Sequence, residues 1–588
     1  MNSGAATVTD ASAVEALAHA LQIHPLVARV LVGRGFTRPD ATRSFLSPKL
    51  AELTRPDAMA DRDAAAERLA AAVRSKERIV VFGDYDVDGI TSAALITRAL
   101  RAMGGDVSCL VASRFDGGYG LSDAALDRVL ALDPKVLITC DCGTSDHPRL
   151  ERARQRGVDA IVVDHHKVPD EALPVVAFLN PHRSDCRFPY KHMASVGLAF
   201  SIAAAVRARL GVALDLREYL DLVALGTIAD VAPLDGDNRT LTRHGLERIA
   251  DGHGGPGVRA LLAESKLRFR LVARDVAFSL APMLNAPGRL GPATPTLELL
   301  LSETDRDAQP RAFALAQANL RRREISAQLV DAAIAQAHAL HGDHPPAGVV
   351  LAGDGWHAGM GGIVAGRLVE RLQAAVCVIA IEGDLGVGSV RAPRGTKLYD
   401  AVYACRDLLV GFGGHDAAAG VRIRPERIDD FRAAFAEAVA RSGGTPLPER
   451  APEAELTEAD LTAGLARDLR SLEPTGEGNP EAVVSLRDVR PRRRAPHPGA
   501  APAAVLRRGA AAGGGILPRR RLGASPGRTP GGAVEGRCGG HPARRSVDRT
   551  RRGAARRPLG QPGAVAGSTG ALRGPTGSSA PRSSRRRW

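Results

Sequence analysis

From residue 14 to 50 the apolar positions recur at helical spacing: VEALAHALQI, then HPLVARVLVGRG closed by glycine, then a third helix opening at Pro39-Asp40. Between 78 and 166 the period changes. Apolar runs (RIVVFGDYD, DVSCLVAS, KVLITCDCG, DAIVVDHH) alternate with helical stretches (ITSAALITRALRAMG, SDAALDRVLALD, HPRLERARQRG). Strands separated by helices of about a dozen residues predict a parallel, doubly wound sheet. Two more helices follow, SVGLAFSIAAAVRARLG and REYLDLVALGTIAD, and residues 303–340 read as one long helix of mixed charge, a spacer between two α/β units. After Pro345-Pro346 the second unit runs through AGVVLAGDG, GIVAGRLVERLQ, AVCVIAIEG, LGVGSVR, LYDAVYACRDLLVGFGGH and DDFRAAFAEAVA. A linker, GGTPLPERAP (443–452), leads to a third unit opening at 453.

All periodicity stops after 490. Residues 491–588 hold 22 Arg, 19 Gly, 17 Ala and 12 Pro, with no Phe, Tyr, Met, Asn or Lys. Such a segment buries too little apolar area to offset its ordering entropy, so a disordered tail is expected. Its four dominant residue types are those encoded by codons made solely of G and C. Out-of-frame translation of a GC-rich gene after about residue 489 is therefore the favoured explanation, because the change falls inside a unit that has just begun. A natural Arg-rich tail is the alternative, and resequencing the gene decides between them.

The tail also changes the meaning of the charge. The whole chain of 588 residues carries a formal +14, which invites a nucleic-acid reading. The tail alone holds 22 basic and 2 acidic side chains, or +20, so residues 1–490 carry 57 basic and 63 acidic ones, or −6. The basicity says nothing about the folded body. At roughly 150 residues per domain, the length suggests three or four units. The seven cysteines show no spacing of a secreted disulfide scaffold, and the expected setting is a reducing cytoplasm. No signal peptide is read at the N-terminus, and the longest weakly apolar run, Ser195–Val206, is 12 residues, too short to span a bilayer.

The chemistry gathers at strand ends. Asp84, Asp86 and Asp88 in GDYDVDG fall at i, i+2 and i+4 after the first strand, where an extended segment places them on one face. Three such charges together call for a cation, and open α/β sheets bind ligands at this end of their strands. A solvated acidic turn is the bland alternative. An EF-hand reading fails, because position 12 of the loop is Leu95 where a Glu is needed. The third strand ends in Thr139-Cys140-Asp141-Cys142-Gly143, where alternation sets Asp141 on one face and both cysteines on the other. Two buried thiols are favoured over a Cys-x-Cys metal pair, since no second pair completes a zinc set. The fourth strand ends in Asp164-His165-His166; adjacent histidines diverge, so one can ligate while the other faces substrate. Asp230 closes LVALGTIAD and offers one more carboxylate. Carboxylates with one or two imidazoles suit a pair of divalent cations, manganese or magnesium, of the kind that serve phosphoester cleavage. Arg289 in LNAPGRLG and Arg391 in GVGSVR, flanked by small residues, can reach a phosphodiester or be plain surface arginines. In Gly411-Phe412-Gly413-Gly414-His415-Asp416, His415 offers a donor. Read alone, the segment is a weak phosphate-loop signal or a tight helix-packing turn.

GDYDVDGITS, TCDCGT, VVDHHKVP and LVALGTIADVAPL together resemble the four motifs of the DHH phosphoesterase superfamily. LNAPGRLG, WHAGMGGIVAGRLVER, GSVRAP and GFGGHDAAAG resemble its associated substrate domain. LEPTGEGNPE is similar to the junction that leads into an OB-fold in the RecJ-type branch, single-stranded-DNA-specific 5′→3′ exonucleases of DNA repair and recombination. The match runs from about residue 15 to 489. The resemblance implies that Asp86, Asp88, Asp141, His165 and Asp230 hold two divalent cations, manganese preferred or magnesium. It implies that Asp84 supports them, that His166 faces the scissile phosphate, and that Arg289, Ser389, Arg391 and His415 grip phosphates. RFDGGYGLS (114–122) resembles a further loop near the active site, and Phe82 stands where other branches have a metal-binding His.

The implied architecture is α/β. It has an N-terminal helical lead (1–50), a parallel-sheet DHH catalytic domain (51–245), a helical connector with the spacer helix (246–340) and a second α/β substrate domain (341–442). An incomplete OB-fold start (453–490) and the tail (491–588) follow. The partners implied are single-stranded DNA and, through the family, single-stranded-DNA-binding protein and a RecQ-type helicase; no membrane is expected, and a monomer is. Loss of a complete OB-fold would impair strand holding while leaving hydrolysis. Two other readings stand beside this one: a phosphodiesterase for oligonucleotides or cyclic dinucleotides, and a non-catalytic nucleic-acid binder acting through its Arg-rich tail.

Overall fold

A computed structural model describes residues 10–116, 118–267, 271–443 and 450–486. The N-terminal lead forms three helices, α1 (Ala11–Leu21), α2 (Pro25–Gly33) and α3 (Pro39–Leu46), and α4 (Arg62–Ser75) leads into the first sheet. That sheet comprises β1 (Arg78–Gly83), β2 (Asp106–Val111), β3 (Val136–Cys140), β4 (Asp159–Val163) and β5 (Ala177–Leu179), in the order β2-β1-β3-β4-β5 and parallel throughout. Its crossovers are α5 (Val87–Ala102), α6 (Asp123–Leu130) and α7 (His147–Gln155). The sequence reading expected four of these strands. β5 has three residues, too few for a periodic signal.

Helices α8 (Ser195–Leu210), α9 (Leu220–Ala229), α10 (Gly236–Ala250) and α11 (Pro256–Ser265) build up the α5 side of the sheet. Three short turns, α12 (Ala273–Asp275), α13 (Ala281–Leu284) and α14 (Ala286–Leu290), and then α15 (Thr294–Leu300) lead into the spacer. The spacer is α16, Asp305–His341, 37 residues capped by the Thr304 hydroxyl on the Asp307 N–H. Its N-terminal half packs with the first domain's core through Ala308, Ala312 and Leu315, and its C-terminal half with the second's through Leu329, Val330 and Ala333.

The second sheet contains β6 (Gly348–Asp354), β7 (Ala375–Glu382), β8 (Leu385–Arg391), β9 (Gly411–His415) and β10 (Ala418–Ile423). Its order is β6-β7-β8-β10-β9, parallel only between β6 and β7. Helices α17 (Gly361–Leu372), α18 (Leu398–Ala404) and α19 (Ile428–Ser442) cover it. The segment 411–420, read as a weak phosphate-loop signal or a helix-packing turn, has strand geometry instead of a loop or a helical turn. It is the β9–β10 hairpin, because its backbone completes an antiparallel ladder against β8.

After residue 450, β11 (Ala454–Leu456) pairs in parallel with β12 (Val484–Leu486), with α20 (Ala463–Arg470) between them. These elements share one apolar core with α1, α2 and α3, so the two ends of the described chain close on each other. The expected OB-fold start continues past 486, and that part, with the tail 491–588, lies outside the described residues. No helix among the described residues is long and apolar enough to cross a membrane.

Candidate metal and phosphate site

Register sets the site. Gly83 pairs with Cys140 and Cys140 with Val163, so β1, β3 and β4 end level. The ladder extends one residue further: the N–H groups of Asp84, Asp141 and Asp164 donate to Cys140, Val163 and Leu179 carbonyls at 3.1, 2.9 and 3.0 Å. Three aspartates thus stand side by side at the carboxyl edge of the sheet, where open α/β folds bind ligands.

Asp86 and Asp88 arrive differently from the alternating face expected of them. The extended chain ends at Asp86, whose carboxylate caps α5 by accepting from the Gly89 N–H at 3.0 Å, and Asp88 lies inside the helix. Gly89 makes this possible, since a Cβ there would sit 2.6 Å from the Asp84 nitrogen. Asp88 is buried and accepts from the N–H groups of Ser195 and Val196 at 2.9 and 3.0 Å. Gly226 brings α9 close, where a Cβ would lie 2.9 Å from Asp88 Oδ1, and α9 delivers Asp230.

The cysteines are the two buried thiols expected, but they do not share a face. Asp141 is left-handed, φ 60°, which breaks the alternation. Cys140 packs into the core under α5 and Cys142 into the core on the opposite face, so no Cys-x-Cys metal pair forms. Phe82 is fully buried in that second core, away from any ligand role.

Two groups of potential ligand atoms emerge: Asp88, His165 and Asp230, and Asp141, His165 and His166, each within 4.8 Å of one another. His165 Nε2 lies 3.2 Å from Asp141 Oδ1 and 3.8 Å from Asp230 Oδ2, yet it is buried without a hydrogen-bond partner. Close approach without hydrogen-bond geometry is the arrangement of donors aimed at a common point, and the carboxylate and imidazole set fits a divalent cation. Asp86 is outside both groups, although its charge acts on Asp84, Asp88, Asp141 and Asp230.

Electrostatics agrees. Burial, then the charge of Asp86, pushes Asp84 up to about 8 and Asp230 up to about 7. Burial raises Asp88, helped by Asp230, and raises Asp141, helped by Asp86. Burial, with the neighbouring His166, pushes His165 down to about 4, so it is neutral at pH 7 as a ligand must be. His166 behaves oppositely. Burial alone would depress it, but its 2.7 Å hydrogen bond from Nδ1 to Asp164 and that carboxylate's charge push it up to about 9. Asp164 is itself held by the Thr144, His165 and His166 N–H groups.

Across from the acids stand three arginines. Arg289 on α14 donates to the Gly359 carbonyl at 3.3 Å, bridging the two domains, and burial followed by Arg114 pushes it down to about 10. Burial, then Arg114, also lowers Arg391 on β8. None of the three forms an ion pair among the described residues, and Arg114 Nε is buried without a partner. Arg114 acts on Asp84 only through its charge, so the three guanidiniums stand together without an ion pair. Ser389 lies two residues from Arg391 on β8, and His415 stands across β10 from it at the exposed turn of the hairpin.

The fold adds residues without an assigned role in the sequence reading, all from 114–122 and its surroundings. Arg114 lies over the Tyr85 ring at 4.4 Å, and Phe115 meets His357 of the second domain edge-on at 5.9 Å. Tyr119 donates to the Asp141 carbonyl at 3.0 Å and sits 3.0 Å from His166 Nδ1. Ser195 donates to Asp141 Oδ1 at 3.0 Å.

Comparison with known proteins accords with this layout. Residues 78–227 match the model of the DHH family, N-terminal domain, and residues 346–441 that of the DHHA1 domain. The single-stranded-DNA-specific exonuclease RecJ of Dickeya dadantii is 41% identical over 452 residues, 72% of this chain and 77% of that protein. The chain belongs to the RecJ family. The Escherichia coli RecJ is 37% identical over 441 residues, 71% of this chain and 76% of that one. A crystal structure of RecJ from Thermus thermophilus in complex with Mn2+ superposes with a TM-score of 0.70 at 33% identity, covering 81% of this chain and 68% of that one. The motifs 84–88, 139–143, 164–166 and 226–230 all lie within or at the edge of the DHH match, and Ser389, Arg391 and His415 lie within the DHHA1 match.

Proposed function

We propose that this RecJ-family chain is a metal-dependent exonuclease that hydrolyses phosphodiester bonds of single-stranded DNA from the 5′ end, in DNA repair and recombination in the cytoplasm. One observation carries the reading: an orphaned His165 Nε2 faces buried carboxylates at a sheet edge, beside arginines that form no ion pair among the described residues. Asp88, Asp141, His165 and Asp230, with Asp86 beside them, would hold two divalent cations, manganese or magnesium. Bound there, such ions supply charge stabilisation at phosphoryl oxygens and make water more acidic.

The chain's own groups do the rest. Asp164 fixes the proton of His166 on Nδ1 and leaves Nε2 directed to a phosphoryl oxygen, where it donates. Arg289, Arg391 and Arg114 hold the phosphate being cut and its neighbour, with Ser389 and His415 extending the row along the hairpin. Asp84 accepts from the Gly120 N–H at 3.3 Å and Tyr119 bonds the Asp141 carbonyl, so the 114–122 loop is fastened over the carboxylates. Partners such as single-stranded-DNA-binding protein and a RecQ-type helicase accord with this role.

The test is a manganese-dependent assay on end-labelled single and double strands. The wild type is expected to release mononucleotides from the 5′ end of the single strand. Asp141→Ala should lower kcat by more than about 100-fold, since even hydrogen-bond partners of metal ligands cost about 10–100-fold. Unchanged cleavage in the variant, or no preference for single strands, overturns the reading.

A further inference from the structure

The function above leaves one exposed surface unused. On the second domain Tyr399 and Tyr403, one helical turn apart on α18, stack at 6.3 Å between centroids and 26° between planes. Phe412 of β9 lies 6.3 and 6.0 Å from them. The two tyrosines are 38% and 48% exposed and belong to no core, whereas Phe412 is anchored in the domain's own core. The Arg406 guanidinium sits 4.7 Å from the Tyr403 ring. Aromatic rings with an arginine, held open at a surface, are the recurring means of stacking bases.

Position selects the occupant. β9 is the outer strand of its sheet, so its edge is free among the described residues. Register places His415, Ala418 and Arg391 in one row and Gly413, Gly420 and Ser389 in another, two residues along each strand. Gly411 and Gly413 have nothing within 4 Å of where a Cβ would lie, so packing does not demand glycine there. The bare backbone allows a ligand's chain to lie close. The aromatic cluster adjoins this floor: the Tyr399 N–H donates to the Asp416 carboxylate at 3.3 Å, one residue beyond His415. Between 391 and 422 the chain carries five basic and three acidic side chains, whereas residues 1–490 are at −6.

We propose that Tyr399, Tyr403 and Phe412 form a base-stacking platform for the strand that extends from the Ser389–Arg391–His415 phosphate row, an inference that rests on the single-stranded-DNA reading above. Phosphates lie along the glycine-floored row, and bases turn over the β9 edge onto the rings.

The experiment measures binding by fluorescence anisotropy in EDTA, with the full chain. The probes are a labelled oligo(dT) 20-mer and an abasic strand of the same length. The double variant Tyr399→Ala/Tyr403→Ala is expected to bind the 20-mer about tenfold more weakly, within the range for one stacked base. Its affinity for the abasic strand should equal that of the wild type, and the Phe/Phe variant, which keeps both rings, should bind the 20-mer as the wild type does. A 20-mer affinity within twofold of the wild type, or equal weakening on the abasic strand, overturns the platform. If the alanine pair fails to fold, single substitutions at each tyrosine carry the same expectation at about threefold. A wild type that binds the 20-mer through these rings but cleaves no single strand in manganese overturns the function and leaves the platform standing. A wild type that does not bind the 20-mer overturns both.

Discussion

Asp141 concentrates the residue-scale argument. It is left-handed, buried, and held by the Ser195 hydroxyl on one oxygen and by Tyr119 on its carbonyl. Left-handed non-glycine backbone costs about 1–2 kcal/mol, and Asp tolerates it better than most. Ser195→Ala frees that carboxylate, and manganese affinity measured by calorimetry is expected to fall about tenfold, with folding intact. Arg289 supplies the opposite case, a buried cation beside two others. Arg289→Met is expected to keep or raise the melting temperature while raising KM for a single strand by about 10-fold or more. A drop in stability without a change in KM would count against the anion site. At this scale the sequence named the acids and both histidines from their places at the ends of strands and helices, and Arg289 from its small flanking residues. It marked the 114–122 loop only by resemblance and gave Tyr119 and Arg114 no role, since a loop without periodicity does not show which of its side chains turn inward.

Among the elements, the chain's two ends are held by their shared core, by the Arg34–Glu453 ion pair, and by one fully engaged arginine. Arg239 of α10 is 2% exposed, lies 3.8 Å from the Phe45 ring, and donates to the carbonyls of Phe45, Ser471, Leu472, Glu473 and Pro474. Leu234 donates to the Glu477 carbonyl at 2.7 Å, which ties the same loop to the chain just beyond Asp230. Arg239→Leu strands those carbonyls. A loss on the order of 3 kcal/mol is expected by denaturant unfolding, with faster proteolysis within 471–479. A smaller loss than that of a surface arginine would refute the staple. Strong helices such as α5, α8 and α16 were legible from spacing, since each carries many apolar positions. The hairpin β9–β10 was not, because its four glycines and three alanines carry no period at all and only the ladder against β8 makes them strands.

On the scale of the whole molecule, the clustered acids make stability depend on pH in a definite direction. Between pH 6.5 and 8 an unfolded chain has shed the protons of its aspartates and most of those of its histidines. The folded protein retains them on Asp84, near 8, on Asp230, near 7, and on His166, near 9. The native state then binds more protons, so stability of the metal-free protein falls as pH rises through this window; His165, neutral above about 4 when folded, works in the other sense and fades toward the basic end of the window. A cation that displaces those protons binds more tightly at higher pH. The gain in melting temperature on adding manganese is therefore expected to be larger at pH 8 than at pH 6.5, and equal gains would contradict the acid cluster. What the sequence by itself determined was the parallel α/β class, the spacer helix, the identity of the acids and histidines, and the separation of a +20 tail from a −6 body. These depend on local periodicity and on residue type, which a linear chain already displays. Only the tertiary structure decided that Cys140 and Cys142 face opposite cores, that Asp86 caps a helix, that the two ends of the described chain share a core, and that aromatic rings line the free edge beside His415. Each of those depends on backbone angles at single residues or on pairings between segments distant in the chain, and neither leaves a mark in local spacing.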